Sequence, residues 1–197
     1  MEIHMRHRSR TGFTLIEMLV VIAIIAIIAG IVFPAVTRGL RTAKRNVAAS
    51  EAKSIAGAIR MFYDDYGWLP VPPDEQGGDD DVFTSDEDGY TSKDIIKILL
   101  GDKSKDPDDP NEKPINPKQK VYLDTDVATS DGTMLDPWGK QYSVLLDLNF
   151  DGRLTYRGSE FTQRAIVISS GRDLTLVPIT DTTTDGDDVS SVLIDDE

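Results

Sequence analysis

The chain contains no cysteine, and its only histidines, His4 and His7, both precede Gly12. From Gly12 onward it can therefore form no disulfide, no cysteine nucleophile, no Ser/His/Asp triad and no zinc site built on Cys or His. Basic residues are few beside the acids, 21 against 34 for a net charge of -13, and the acids concentrate after Tyr63. That balance argues against a nucleic-acid partner, which would be held by Lys and Arg on phosphates. Paired carboxylates can hydrolyse glycosides, but acids are so frequent here that a pair carries little information, and an enzyme is not expected. The 197 residues suit one membrane helix and one small soluble domain.

What the chain does have is a single long apolar run, GFTLIEMLVVIAIIAIIAGIVFPA from Gly12 to Ala35, with one acid, Glu17, near its start. Arg6, Arg8 and Arg10 precede it with no intervening acid. The run matches the ~20 residues a helix needs to cross a bilayer core. A secretory signal would have a shorter apolar core ending in a small-residue cleavage site. A plain spanning helix fits the length better but leaves Glu17 unexplained, because an ionised acid within a span costs roughly 2.5–3.5 kcal/mol on insertion scales. Glu17 calls for a positive partner. Basic residues before the span and acidic ones after it predict a cytoplasmic amino terminus.

Taken together, the basic leader, GFTLIE and the apolar tail resemble the class III leader of type IV pilins and of the pseudopilins of type II secretion. The resemblance implies cleavage by a prepilin peptidase after Gly12, N-methylation of Phe13 and an assembly role for Glu17, with Pro34 at the usual position of a helix-bending proline. It also implies a partner for Glu17. Cleavage creates a cationic amine on Phe13 that, in such filaments, meets the acid of a neighbouring subunit, and two charges costly in lipid offset one another when paired. Contact with the subunit's own amino terminus is the alternative.

Downstream, Leu40, Ala43, Val47, Ala52, Ile55, Ile59, Phe62 and Tyr66 recur at steps of three and four, predicting one apolar helical stripe to about Tyr66 that packs under a sheet. Arg38, Arg41, Lys44 and Arg45 lie between them, suited to anionic headgroups. Gly67, Pro70, Pro72 and Pro73 end the helix. In YGWLPVPPDEQG, Pro72, Glu75, Gln76 and Gly77 resemble the PxxEQG spacing of major pseudopilins, with Gly78 departing from the usual Leu. Gly77 to Asp94 reads as an exposed loop, Asp94 to Leu100 as a short helix capped by Ser92 or Asp94, and the proline-rich DKSKDPDDPNEKPINPK as a surface excursion.

DPWGKQY, with Asp136, Pro137, Trp138, Gly139 and Tyr142, resembles the DPWGxxY motif that leads into the first strand of the pseudopilin sheet. Tyr142 to Leu148 is predicted as a strand paired with RLTY, and Arg164 to Ser169 as another. Two acid clusters are candidates for calcium. Asp147, Asn149, Asp151 and Gly152 spell the opening of a calcium loop, although Gly158 stands at its twelfth position, and a hairpin turn explains the same residues. In SSGRDLTLVPITDTTTDGDDVSS, Asp173, Asp187 and Asp188 resemble the calcium-binding loop of major pseudopilins, with Leu174 where Gly is expected; a solvated acidic tail is the alternative. Many pilins close this region with a disulfide, which a chain without cysteine cannot do, so a calcium clamp is expected here.

The expected fold is α+β and pilin-like, a long amino-terminal helix, membrane-spanning then amphipathic, on a small antiparallel sheet. Its expected parts are a leader (1–12), a spanning and filament-core helix (13–35), its amphipathic continuation (36–66), a variable region with a short helix (67–134), and a sheet with an acidic carboxy-terminal loop (135–197). The implied function is a structural subunit of a type II secretion pseudopilus, with its own copies, minor pseudopilins, the prepilin peptidase and the inner-membrane assembly platform as partners. A type IV pilin for adhesion, motility or DNA uptake, and a membrane-anchored calcium-binding module that never polymerises, are the alternatives. The implied location is the bacterial inner membrane, single-pass, with the carboxy-terminal domain periplasmic.

Overall fold

The computed structural model describes residues 13–84, 89–102, 114–123, 128–173 and 188–192. Its first element, α1 (Leu15–Tyr66), is an unbroken helix of 52 residues that continues through Pro34. Ile, Val, Ala and Leu dominate its first half, and the helix continues past the one N–H that Pro34 cannot donate. The helix stops at Gly67, where φ of 79° is cheap only without a Cβ and the Gly67 N–H closes on the Tyr63 carbonyl at 2.8 Å.

The chain divides into two compact units, residues 1–42 and 43–197. In the first, the described residues are almost wholly helix and bury none of their large apolar side chains; Leu15 is 83% and Ile31 72% exposed. This helix is long and apolar enough to cross a membrane.

The second unit is a layered α+β domain. Strands β1 (Asp81–Phe83), β2 (Ser143–Leu146), β5 (Ala165–Ser169) and β6 (Val189–Ser190) form an antiparallel sheet in the order β1-β2-β5-β6. One face packs on α1 and on the short helix α2 (Ser92–Leu99), through Val144, Leu146, Ala165 and Val167 against Ile55, Ile59 and Phe62. The opposite face, with Leu145, Ile166 and Ile168, is covered by Leu154 and Tyr156 of the hairpin β3 (Leu154–Tyr156) and β4 (Ser159–Phe161). Covering both faces explains why β2 and β5 are apolar throughout instead of alternating.

Several expectations are corrected. The buried stripe of α1 starts at Ala48, whereas Leu40, Ala43 and Val47 stay exposed. RLTY does not pair with β2, whose two neighbours are β1 and β5; it turns tightly at Arg157 and Gly158 and pairs with Ser159–Phe161. The segment expected to be loop from Gly77 to Asp94 contains β1, whose Phe83 is buried, so β2 is not the first strand in chain order. Helix α2 begins at Ser92 with Thr91 as its cap, and the Asp94 carboxylate accepts both the Thr91 N–H (3.1 Å) and its hydroxyl (2.7 Å). In the proline-rich excursion, residues 103–113 lie outside the described set, but Ile115 and Asn116 are buried. The Asn116 amide donates to the Ile98 and Lys120 carbonyls, and its oxygen accepts the Tyr66 hydroxyl at 2.7 Å, which fastens the segment to the end of α1.

Truncating Ile59, fully buried, to Ala is expected to cost about 2–5 kcal/mol, while Leu40→Ala, 61% exposed, leaves the domain's stability unchanged. Thermal melts followed by circular dichroism check both.

Candidate functional site

The amino-terminal end of α1 presents apolar surface with one acid. Phe13 is 76% exposed, and Gly12 lies outside the described residues. Glu17 closes a local capping arrangement, its Oε2 accepting the Thr14 N–H at 2.8 Å and the Thr14 hydroxyl at 2.7 Å, while the Glu17 N–H donates to Thr14 Oγ1 at 3.3 Å. The acid thus starts the helix within its own chain and sits one turn from Phe13. Pro34 lies on the same exposed surface, and its carbonyl accepts the Thr37 hydroxyl at 3.0 Å.

The DPWG turn is the polar anchor of the domain. Asp136 is 4% exposed, yet its carboxylate is fully used: Oδ1 accepts the N–H groups of Trp138 and Lys140, both at 2.9 Å, and Oδ2 accepts the Ser169 hydroxyl at 2.5 Å. One acid therefore shapes the turn and ties it to the end of β5. The turn is also held to α1, because Lys44 Nζ donates to the Pro137 carbonyl at 2.8 Å and lies over the Trp138 ring. Just beyond, the buried Tyr142 hydroxyl donates to Glu51 at 2.5 Å; burial, then this bond, raise the phenol's pKa well above its ordinary value. The sequence motif marks the turn, but the reach of Asp136 to Ser169 has no sequence signal, since 33 residues separate them.

The first acid cluster is drawn into a hairpin turn. Asn149 Oδ1 accepts the Asp151 N–H (2.7 Å) and Asp151 Oδ1 the Arg153 N–H (2.8 Å). Asp147, wholly buried, pairs through Oδ2 with Arg164 and accepts the Gly152 N–H at 3.1 Å. Asp80 joins this cluster from the edge of β1, and burial, followed by the charges of Asp147 and Asp151, raises its pKa. In the second cluster, Asp173 is exposed after β5 and Asp188 precedes β6, while Asp187 lies outside the described residues. Burial, and then the nearby charge of Asp188, push the Tyr156 phenol up to about 12. Among the described residues no three acids are grouped as a metal site.

Comparison with known proteins bears on the amino-terminal end. The family described as the prokaryotic N-terminal methylation motif matches residues 7–33, so the chain carries a type IV prepilin-like amino terminus. It further resembles the major pseudopilin of type II secretion: it is 43% identical over 58 residues to the type II secretion system core protein G of Pseudomonas aeruginosa. That match covers 29% of this chain and 41% of the relative, less than half the relative's length. No solved structure matches the chain.

Asp136→Ala should lower stability by about 1.5–3 kcal/mol, since hydrogen bonds to a charged group are lost and two N–H groups are left without their acceptor. A melt shows this as a drop of several degrees; an unchanged midpoint would remove Asp136 from its anchoring role.

Proposed function

We propose that this chain is a structural subunit of a type II secretion pseudopilus, and the observation that carries the reading is an exposed apolar helix that overlaps the N-terminal methylation motif at residues 7–33. The prepilin peptidase cleaves after Gly12, and Phe13 becomes the methylated amino terminus. Until assembly the helix lies in the inner membrane with the acidic domain periplasmic, in keeping with Arg6, Arg8 and Arg10 on the cytoplasmic side. On assembly, the apolar helices of successive copies cover one another, and the new amine of one copy approaches Glu17 of the next. The layered domains form the filament's surface. Minor pseudopilins and an inner-membrane platform act as partners, and energy for assembly comes from outside this chain.

The same reading gives the carboxy-terminal loop a calcium ion, held by Asp173, Asp187 and Asp188. It is supported by the pairing of Ser169 with Val189, which brings together the two ends of the acidic stretch between them. Calcium at ~100 times its dissociation constant should stabilise the chain by about 2.7 kcal/mol. Asp188→Asn should remove the part of the rise in melting temperature that this carboxy-terminal ion contributes.

The functional test is complementation. Cells lacking this chain should fail to export type II substrates, the wild-type chain should restore export, and Gly12→Val, which blocks cleavage, should not. Normal export in its absence, coupled with loss of a surface fibre, would assign it to a pilus instead.

A further inference from the structure

A second charged cluster lies at the end of the β1–β2 ladder. The β1–β2 ladder pairs Asp81 with Leu146, so its next step sets Asp80 opposite Asp147. Opposed side chains on one face of a ladder have Cβ atoms about 5 Å apart. The Asp80 carboxylate takes backbone N–H groups of Asn149 and Leu148, which holds it at the turn that Asp147 opens. Asp147 is 0% exposed, and Arg164 and the Gly152 N–H occupy only its Oδ2.

The Oδ1 atoms of both Asp80 and Asp147 are buried without a hydrogen-bond donor. A buried carboxylate oxygen without a partner is costly, and two on facing residues are more so. Arg164 supplies one positive charge against Asp80, Asp147 and Asp151, leaving an excess of two negative charges. Oxygen-only, anionic and partly dry, this is the environment that hard divalent cations select.

We propose that Asp80 and Asp147 form a two-carboxylate seat for a hard divalent cation at the end of the β1–β2 ladder. The cation bridges the two orphaned oxygens, and water completes its shell. It clips the edge strand β1 to β2 at the point where the chain arrives from the end of α1. Asn149 and Asp151 keep their turn hydrogen bonds and do not ligate, which separates this seat from a twelve-residue calcium loop.

The test is calcium titration of the full chain in detergent micelles at neutral pH, read by isothermal calorimetry and melting temperature. It is made in the Asp173→Asn/Asp187→Asn/Asp188→Asn background, which removes all three acids of the carboxy-terminal site. The expected result is that this chain still takes up calcium and gains stability, and that adding Asp80→Asn weakens the uptake at least about tenfold. Asp80→Ser, with a shorter neutral side chain, serves if Asp80→Asn fails to fold. Asp147 is left intact because it holds Arg164. No uptake by this triply substituted chain up to about 1 mM calcium overturns the seat, as does uptake that Asp80→Asn leaves unchanged. A calcium-independent rise in melting temperature on Asp80→Asn, without any calcium heat before it, identifies a shared proton and also overturns it. None of these outcomes depends on the chain's role in a filament.

Discussion

The constraint on which the rest depends is the exposed apolar surface of the amino-terminal helix. Every large apolar side chain from Phe13 to Leu40 is exposed, so water is not a tolerable environment for this segment. In the proposed assembly lipid covers it first and identical helices afterwards; both are apolar, so moving from one to the other gains little from the hydrophobic effect. Specificity must therefore come from polar groups on the helix. Glu17 is the one acid there, and its capping bonds to Thr14 hold it in the first turn beside the residue that cleavage would expose.

The domain is built to keep the rest of α1 in a fixed register. Ile55, Ile59 and Phe62 fill one face of the sheet, the β3–β4 hairpin fills the other, and polar contacts at the margins fix the alignment. Lys44 on the Pro137 carbonyl, Glu51 on Tyr142 and Asn116 on Tyr66 are spaced along the domain-bound part of the helix. Asp136 connects this set to the distal end of β5. A buried acid with every bond satisfied is specific about geometry, because each of its partners must arrive at the right place.

Much of this was legible in the residues. The basic leader, the apolar length and GFTLIE pointed to the amino-terminal site, and Gly67 with the prolines after it marked the end of α1. The start of the buried stripe was not legible, since Leu40 and Val47 follow the same period as Ile55 although only Ile55 is buried. β1 was hidden because acids flank its two apolar residues, and the β3–β4 pairing because the run RLTY does not disclose which strand it joins. The acid clusters were visible as composition. Which oxygens are occupied and which are orphaned is a property of register, as Asp80 opposite Asp147 shows.

The most direct measurement is the fate of Glu17→Ala in cells that assemble the wild-type chain, with membrane-inserted and filament-pelleted protein quantified separately. The account predicts normal cleavage and insertion, because removing an acid only eases entry into lipid, together with loss of the filament fraction. Filaments formed at the wild-type level by Glu17→Ala would contradict it, and would leave Glu17 as no more than the cap of its own helix.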